Sequence, residues 1–249
     1  MAVVLEGGCR VSTMNEGEPR VFGSLKVWSQ VGRASGAEAI SLRVLEFGPE
    51  KSPRLRNREC DEVIYVLEGE CTVSIDGVGY RVGPEAGVYL RPGQTLIVDN
   101  SGPDVVRFVS SQCPEETFEI ADEVVVSTSE QQPPIVRLAD RRALPTADRW
   151  YRVLVDDEIG SEQVTQFVGS IPPGRAPDHF HEYEEVLFIL RGEGRMWAGD
   201  TNTPIGPGSC IYLPKRQVHC VENTGAGELR LLGVFYPAGS PAVRYEATD

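Results

Sequence analysis

The sequence predicts an all-β chain built as two tandem copies of one barrel-like domain. Three observations predict it. The chain repeats itself at a constant spacing. Each copy consists of short β-branched and aromatic runs closed by turn residues. No long stretch carries a 3.6-residue hydrophobic period.

The repeat is read directly from the residues. Asp61-Glu-Val-Ile-Tyr-Val-Leu-Glu-Gly-Glu70 aligns with Glu184-Glu-Val-Leu-Phe-Ile-Leu-Arg-Gly-Glu193, an offset of 123 (184 less 61). Val88-Tyr-Leu falls on Ile211-Tyr-Leu, Val98-Asp-Asn-Ser-Gly102 on Val221-Glu-Asn-Thr-Gly225, and Gly83-Pro84 on Gly206-Pro207, all at the same offset. Chance likeness between two β-rich stretches would drift in register. Val63–Leu67 and Val186–Leu190 read as strands ended by glycine, Asp76-Gly77 is a hairpin signal, and Pro84, Pro92, Pro207 and Pro214 mark further turns. Many short strands at regular spacing give a sandwich or barrel. A polar, proline-bearing stretch separates the copies, so the expected division is 1–126, a linker at 127–147, and 148–249. A length of 249 residues suits two domains of about 100–150 residues each.

The net charge of −13 argues against nucleic acid and anionic membrane surfaces as partners. The apolar runs are too short to span a bilayer as helices. The start of the chain lacks the basic-then-apolar pattern of a signal peptide, and the six cysteines form no C-x-x-C pair. Free thiols in the cytoplasm are the expectation.

All three histidines lie in the second copy. His179 and His181 are two apart, so on an extended segment they share a face. Glu185 follows four residues later and stays in phase if the turn keeps parity. His219 sits in a second strand-like run, which a barrel can bring to the same interior. A lone histidine is ordinarily a surface or hydrogen-bonded residue, but three imidazoles with one carboxylate form a borderline N/O donor set. That set suits Mn, Fe, Co, Ni, Cu or Zn, with Mn or Fe favoured here. Four protein ligands in an octahedral shell leave two positions for a substrate.

The pattern His179-x-His181-x3-Glu185-x6-Gly192, then Gly208-x5-Pro214-x4-His219-x3-Asn223, resembles both motifs of the cupin superfamily. One departure is Arg216, where a glycine is usual. The resemblance implies two jelly-roll β-barrels, a bicupin, with one divalent metal held by His179, His181, Glu185 and His219. At the same offset the first copy places Arg56, Arg58, Glu62 and Leu96 on those ligands. It is therefore expected to be metal-free, with Glu62 paired to Arg56 or Arg58, unless the two arginines bind an anion.

Strand parity points Leu187, Ile189, Gln217 and Val221 inward with the ligands, a mostly apolar pocket. Gln217 is the expected polar handle and Glu185 a candidate base, although Gln94 at the equivalent place also allows Gln217 a structural role. Arg175 could steady a substrate carboxylate, as an arginine does in oxalate-degrading cupins. Tyr183, Trp197 and Tyr212 could line the mouth. The expected activity is a metal-dependent dioxygenase, similar to quercetinase-like cupins, on a small oxygenated or aromatic substrate. The alternatives are a non-redox isomerase, decarboxylase or hydrolase of a small acid or sugar, and a non-catalytic small-molecule binder. A homodimer is compatible with this reading.

Overall fold

The computed structural model describes residues 1–115, 119–121 and 134–243. Regular structure among them is strand, apart from four short 3-10 turns. In the second half Glu184–Arg191 lies between Ser209–Leu213 and Leu229–Tyr236. The sheet continues through Thr165–Ile171 and Arg149–Val155 to Leu144–Thr146. A smaller sheet faces it, with His219–Asn223 between Gly174–Arg175 and Gly194–Ala198, and Thr201–Ile205 outermost. The first half repeats this plan: Asp61–Glu68 is central in the large sheet and Thr95–Asn100 in the small one. The sheets of each half stay separate rather than closing on themselves, so each half is a jelly-roll sandwich, not a closed barrel.

Two segments pair across the boundary read from the sequence. Arg10–Thr13 adds to the second half through Ser209–Leu213, and Ile135–Arg137 adds to the first through Ala86–Leu90. The first half thus lends an edge strand to the second, and the stretch between the halves lends one to the first, covering backbone groups that would otherwise stand open. Of the stretch read as a linker, 127–133 lies outside the described residues. Residues 134–147 supply the strands Ile135–Arg137 and Leu144–Thr146, one to each half.

Strand alternation explains three separate cores. In Asp61–Glu68, Ile64 and Val66 point between the sheets of the first half, while Val63 and Tyr65 point the other way. In Glu184–Arg191, Leu187 and Ile189 point into the second half, while Val186 and Phe188 join Val63 and Tyr65. The third core is therefore the contact between the two large sheets. This is why the central strands read as unbroken apolar runs: both faces are buried.

Polar clamps lock that contact. Glu184 is fully buried and accepts from the Glu38 N–H (2.7 Å), the Ala39 N–H (2.8 Å) and the Tyr212 hydroxyl (2.6 Å). Its counterpart Asp61 accepts from the Tyr89 hydroxyl (2.6 Å). Removing one donor from a buried carboxylate leaves it short of a partner. Tyr212→Phe should therefore lower stability by about 1–3 kcal/mol, measured as the denaturant unfolding midpoint. An unchanged midpoint would show that the clamp is not needed.

Candidate metal centre

The candidate ligand residues are placed by a short backbone bridge. His179 N–H donates to His219 O (3.1 Å) and His219 N–H to His179 O (2.9 Å), which sets the two residues side by side. His181 follows on the same face, and its carbonyl accepts from Arg216 N–H (2.7 Å). Arg216 adopts a φ of 62°, the left-handed region that favours glycine, so the departure from the motif keeps the turn. Glu185 comes from the central strand beneath, paired with Leu213 and Phe235.

The donor atoms of His179, His181 and His219 lie within 4.8 Å of one another, so these three imidazoles form a cluster able to hold a metal ion. His179 Nδ1 is 3.0 Å from Pro177 O and His219 Nδ1 is 2.7 Å from Gln217 O. Those contacts commit each Nδ1–H to a carbonyl and leave Nε2 as the free lone pair. Glu185 Oε2 lies 3.7 Å from His181 Nε2 and 3.5 Å from His219 Nε2. It is buried without a hydrogen-bond partner among the described residues. An orphaned carboxylate oxygen facing three imidazoles fits a divalent cation.

Burial pushes His179 down to about 3, with His219 beside it acting in the same direction, so the ring is neutral at ordinary pH. Burial would raise Glu185, but His219, His181 and His179 together hold it below the usual carboxylate range. His179 and Glu185 are thus in the protonation states that bind a metal before any ion arrives.

A cavity of about 90 Å³ opens beside the cluster, walled by Phe167, Leu187, Val221, Leu231 and Phe235. Leu187 and Val221 stand where parity placed them, and Ile189 lies deeper in the same core. Gln217 does not reach the cavity. Its amide donates to Val218 O (2.8 Å) and packs against Gly7, where a Cβ would collide with it, so this side chain is turned away from the cavity. Arg175 also points elsewhere: it donates to Asp178 (3.1 Å) and covers the Trp197 ring at 4.1 Å. Tyr212 belongs to the contact between the halves. Tyr183 stacks on His181 at 4.9 Å with its hydroxyl on Ser240 O, supporting a ligand from outside the cavity. The cationic side chain that does line the cavity is Arg149, which the motifs do not contain.

A cupin domain model matches residues 43–111 and 167–235, together more than half of the chain. The chain belongs to the cupin family. Among curated relatives, auxin-binding protein 1 of Arabidopsis thaliana is 31% identical over 86 residues, 30% of this chain and 43% of the relative. The oxalate-binding protein of Thermotoga maritima is 36% identical over 67 residues, 26% of this chain and 55% of the relative. The matches thus span about half of each relative's length. Among solved structures, a Pseudomonas aeruginosa protein described as glyoxylate-induced superposes with a TM-score of 0.75 at 17% identity, covering 96% of this chain and 93% of that one. A variant of Bacillus subtilis oxalate decarboxylase gives 0.74 at 15% identity, covering 92% and 78%.

The first cupin domain corrects the pairing expected for Glu62. The bridge equivalent to His179–His219 is Leu55–Leu96, so the offset is 124 upstream (179 less 55) but 123 at Leu96. The first copy has one extra residue between Asn57 and Glu62. A one-residue slip moves side chains to the opposite face. Leu55 and Asn57 therefore stand on His179 and His181, while Arg56 turns away, its Nε donating to Gly93 O (3.2 Å), and Arg58 is exposed. Glu62 is 2% exposed and pairs instead with Arg43 (2.7 Å), which is 5% exposed. It also accepts from Ser110 Oγ and Asn57 Nδ2. Burial lowers Arg43 from the ordinary arginine value, and Glu62 opposes that shift. No local sequence signal marks Arg43 as the partner, because the pair is 19 residues apart on different strands.

Two outcomes follow. Glu62→Gln strands a buried guanidinium and should cost about 3–5 kcal/mol, whereas an Arg43→Met/Glu62→Leu double variant should be much milder. Equal losses in the two, read from urea unfolding, would contradict the pairing. The second outcome concerns the metal-free protein. The unfolded chain protonates His179 below about 6.5, but the folded one does so only near 3. Its stability contribution is therefore complete above pH about 6.5 and is lost as pH falls toward 3. Glu185, held below its usual range, loses its contribution in the same direction. The unfolding midpoint of His179→Gln should fall less steeply than that of the parent between pH about 6.5 and 5. Parallel curves would refute the depressed imidazole.

Proposed function

We propose that the second cupin domain holds one divalent metal through His179, His181, Glu185 and His219, and that the chain is a metal-dependent dioxygenase acting on a small oxygenated substrate. The observation that carries this reading is the buried Glu185 Oε2, without a hydrogen-bond partner and facing three imidazoles whose Nδ1 positions are, for His179 and His219, already committed. A bound ion would supply Lewis-acid and redox chemistry to an oxygen donor of the substrate. The protein's own residues orient the imidazoles, hold His179 neutral, and exclude water with apolar walls.

Among the described residues lining the cavity, Glu185 is the sole carboxylate and there is no lysine. With Glu185 serving as a ligand, no spare base remains for proton abstraction, which favours chemistry at the metal. The space of about 90 Å³ is smaller than the cavity of ~150 Å³ that takes up benzene. That volume supports a substrate smaller than a flavonol. Decarboxylation of a small acid is the second reading. The fold likeness to oxalate decarboxylase and the cationic Arg149 in the wall favour it.

Reloading with Mn or Fe should leave one ion per chain by elemental analysis, and His179→Ala/His181→Ala should retain none. Two ions per chain would contradict the assignment. Oxygen uptake by the loaded protein, measured across small hydroxy acids, keto acids and diketones, should accompany turnover and stop under argon. Conversion that continues undiminished under argon moves the assignment to decarboxylation. Tight binding with no turnover on any substrate makes the protein a binder.

A further inference from the structure

Arg149 opens the strand Arg149–Val155 and shares the inward face with Tyr151; both line the metal cavity. The Arg149 side chain is 12% exposed. Among the described residues its single partner is Asp148, whose Oδ1 accepts from Nε at 3.1 Å. The Asp148 side chain is 65% exposed, so this contact is a screened one. The two terminal nitrogens of the guanidinium carry no hydrogen bond to a described residue. Of the other polar groups in the wall, Ser170 already donates to Glu228 (2.6 Å). The remaining surface between Arg149 and the imidazoles is mainly apolar. A nearly buried fork with free donors is the group that recognises a carboxylate in two-point fashion.

The duplicated domain supplies an internal control. Lys26 pairs with Glu46 in the first copy, and Trp150 with Ser170 in the second, which places Arg149 on Leu25, the residue before Lys26, at the offset of 124. Leu25 is fully buried in the core of the metal-free domain. The fold therefore accepts a leucine here without difficulty. The arginine occurs only in the copy that carries the imidazole cluster, alongside the exchange of Leu55, Asn57 and Leu96 for histidines. Packing does not call for the charge; a ligand does.

We propose that Arg149 is a substrate-binding residue, and that the substrate is a small carboxylate whose carboxyl group docks on the guanidinium while an oxygen donor at its other end meets the metal. This rests on the metal reading given above. The test is titration calorimetry on the Mn²⁺-loaded protein with oxalate, malonate, succinate and glutarate, set against malonamide as a neutral analogue. At least one dicarboxylate should bind, and malonamide should bind weakly. Arg149→Leu, which installs the residue of the sister domain, should weaken the dicarboxylate by roughly 10- to 100-fold. Its Mn²⁺ affinity and unfolding midpoint should stay those of the parent, and Arg149→Lys should recover part of the loss. Unchanged dicarboxylate affinity in Arg149→Leu and Arg149→Lys overturns the proposal, as does failure of every dicarboxylate to bind. Absence of Mn²⁺ binding in the parent instead defeats the metal reading, a separate result from loss of arginine dependence with Mn²⁺ bound.

Discussion

A carboxylate buried at one point of a jelly roll must be neutralised, and the rest of this molecule is arranged around two answers to that demand. Glu62 and Glu185 occupy equivalent places on the central strands, 2% and 5% exposed. In the first domain a guanidinium, a hydroxyl and an amide surround the carboxylate, and the site is closed by the protein itself. In the second domain the position of Arg43 is held by Phe167, and that of Ser110 by Gly233, over which the Phe167 ring lies closely enough to exclude a Cβ. The phenyl ring removes the donors, and the three imidazoles take their place. A buried charge of this kind is costly unless compensated. The second domain therefore leaves room for an external cation where the first has built one in.

That division depends on the contact between the large sheets. Tyr89 and Tyr212 each reach a carboxylate of their own domain and a turn carbonyl of the other, Gly160 O and Gly36 O, both at 3.4 Å. Gly36 and Gly160 both have positive φ at the ends of matching 3-10 turns, so the clamp obeys a local two-fold relation. With the outer faces of both central strands sealed against each other, Glu185 is approached only from its own cavity. Placement of the candidate ligands is thus a property of the pair of domains and not of either sheet alone.

Much of this was legible in the residues. Binary pattern, turn chemistry and an ungapped offset from Asp61 onward give the all-β duplication, and the His179, His181, Glu185, His219 spacing gives a cluster whose members do meet. What was not legible traces to one inserted residue. Upstream of Glu62 the copies run at an offset of 124, a register that Gly36 and Gly160 share, and side-chain direction flips with each step of such a slip. Arg56 and Arg58 were therefore matched to faces they do not occupy, and Arg43 and Arg149 went unnoticed. Both lie on strands that carry no motif, and their roles arise from neighbours contributed by distant strands. Gln217 differs from the expectation for another reason: Gly7, against which it packs, comes from the far end of the chain.

The edge strand lent by the start of the chain has a further consequence. Leu5, Cys9 and Val11 from the arm are packed into the core of the second domain, although some 135 residues of chain separate them from the rest of it (148 less 13). The second cupin is complete only when the segment at the start of the chain has folded back onto Ser209–Leu213. The long loop that must close first is an entropic toll on the folding rate. In exchange, the covalent join makes two interleaved subunits permanently available to each other, so that an exchange of strands which would vary with concentration between free partners becomes independent of dilution. The chain thus behaves as two strand-sharing domains fused into one polypeptide.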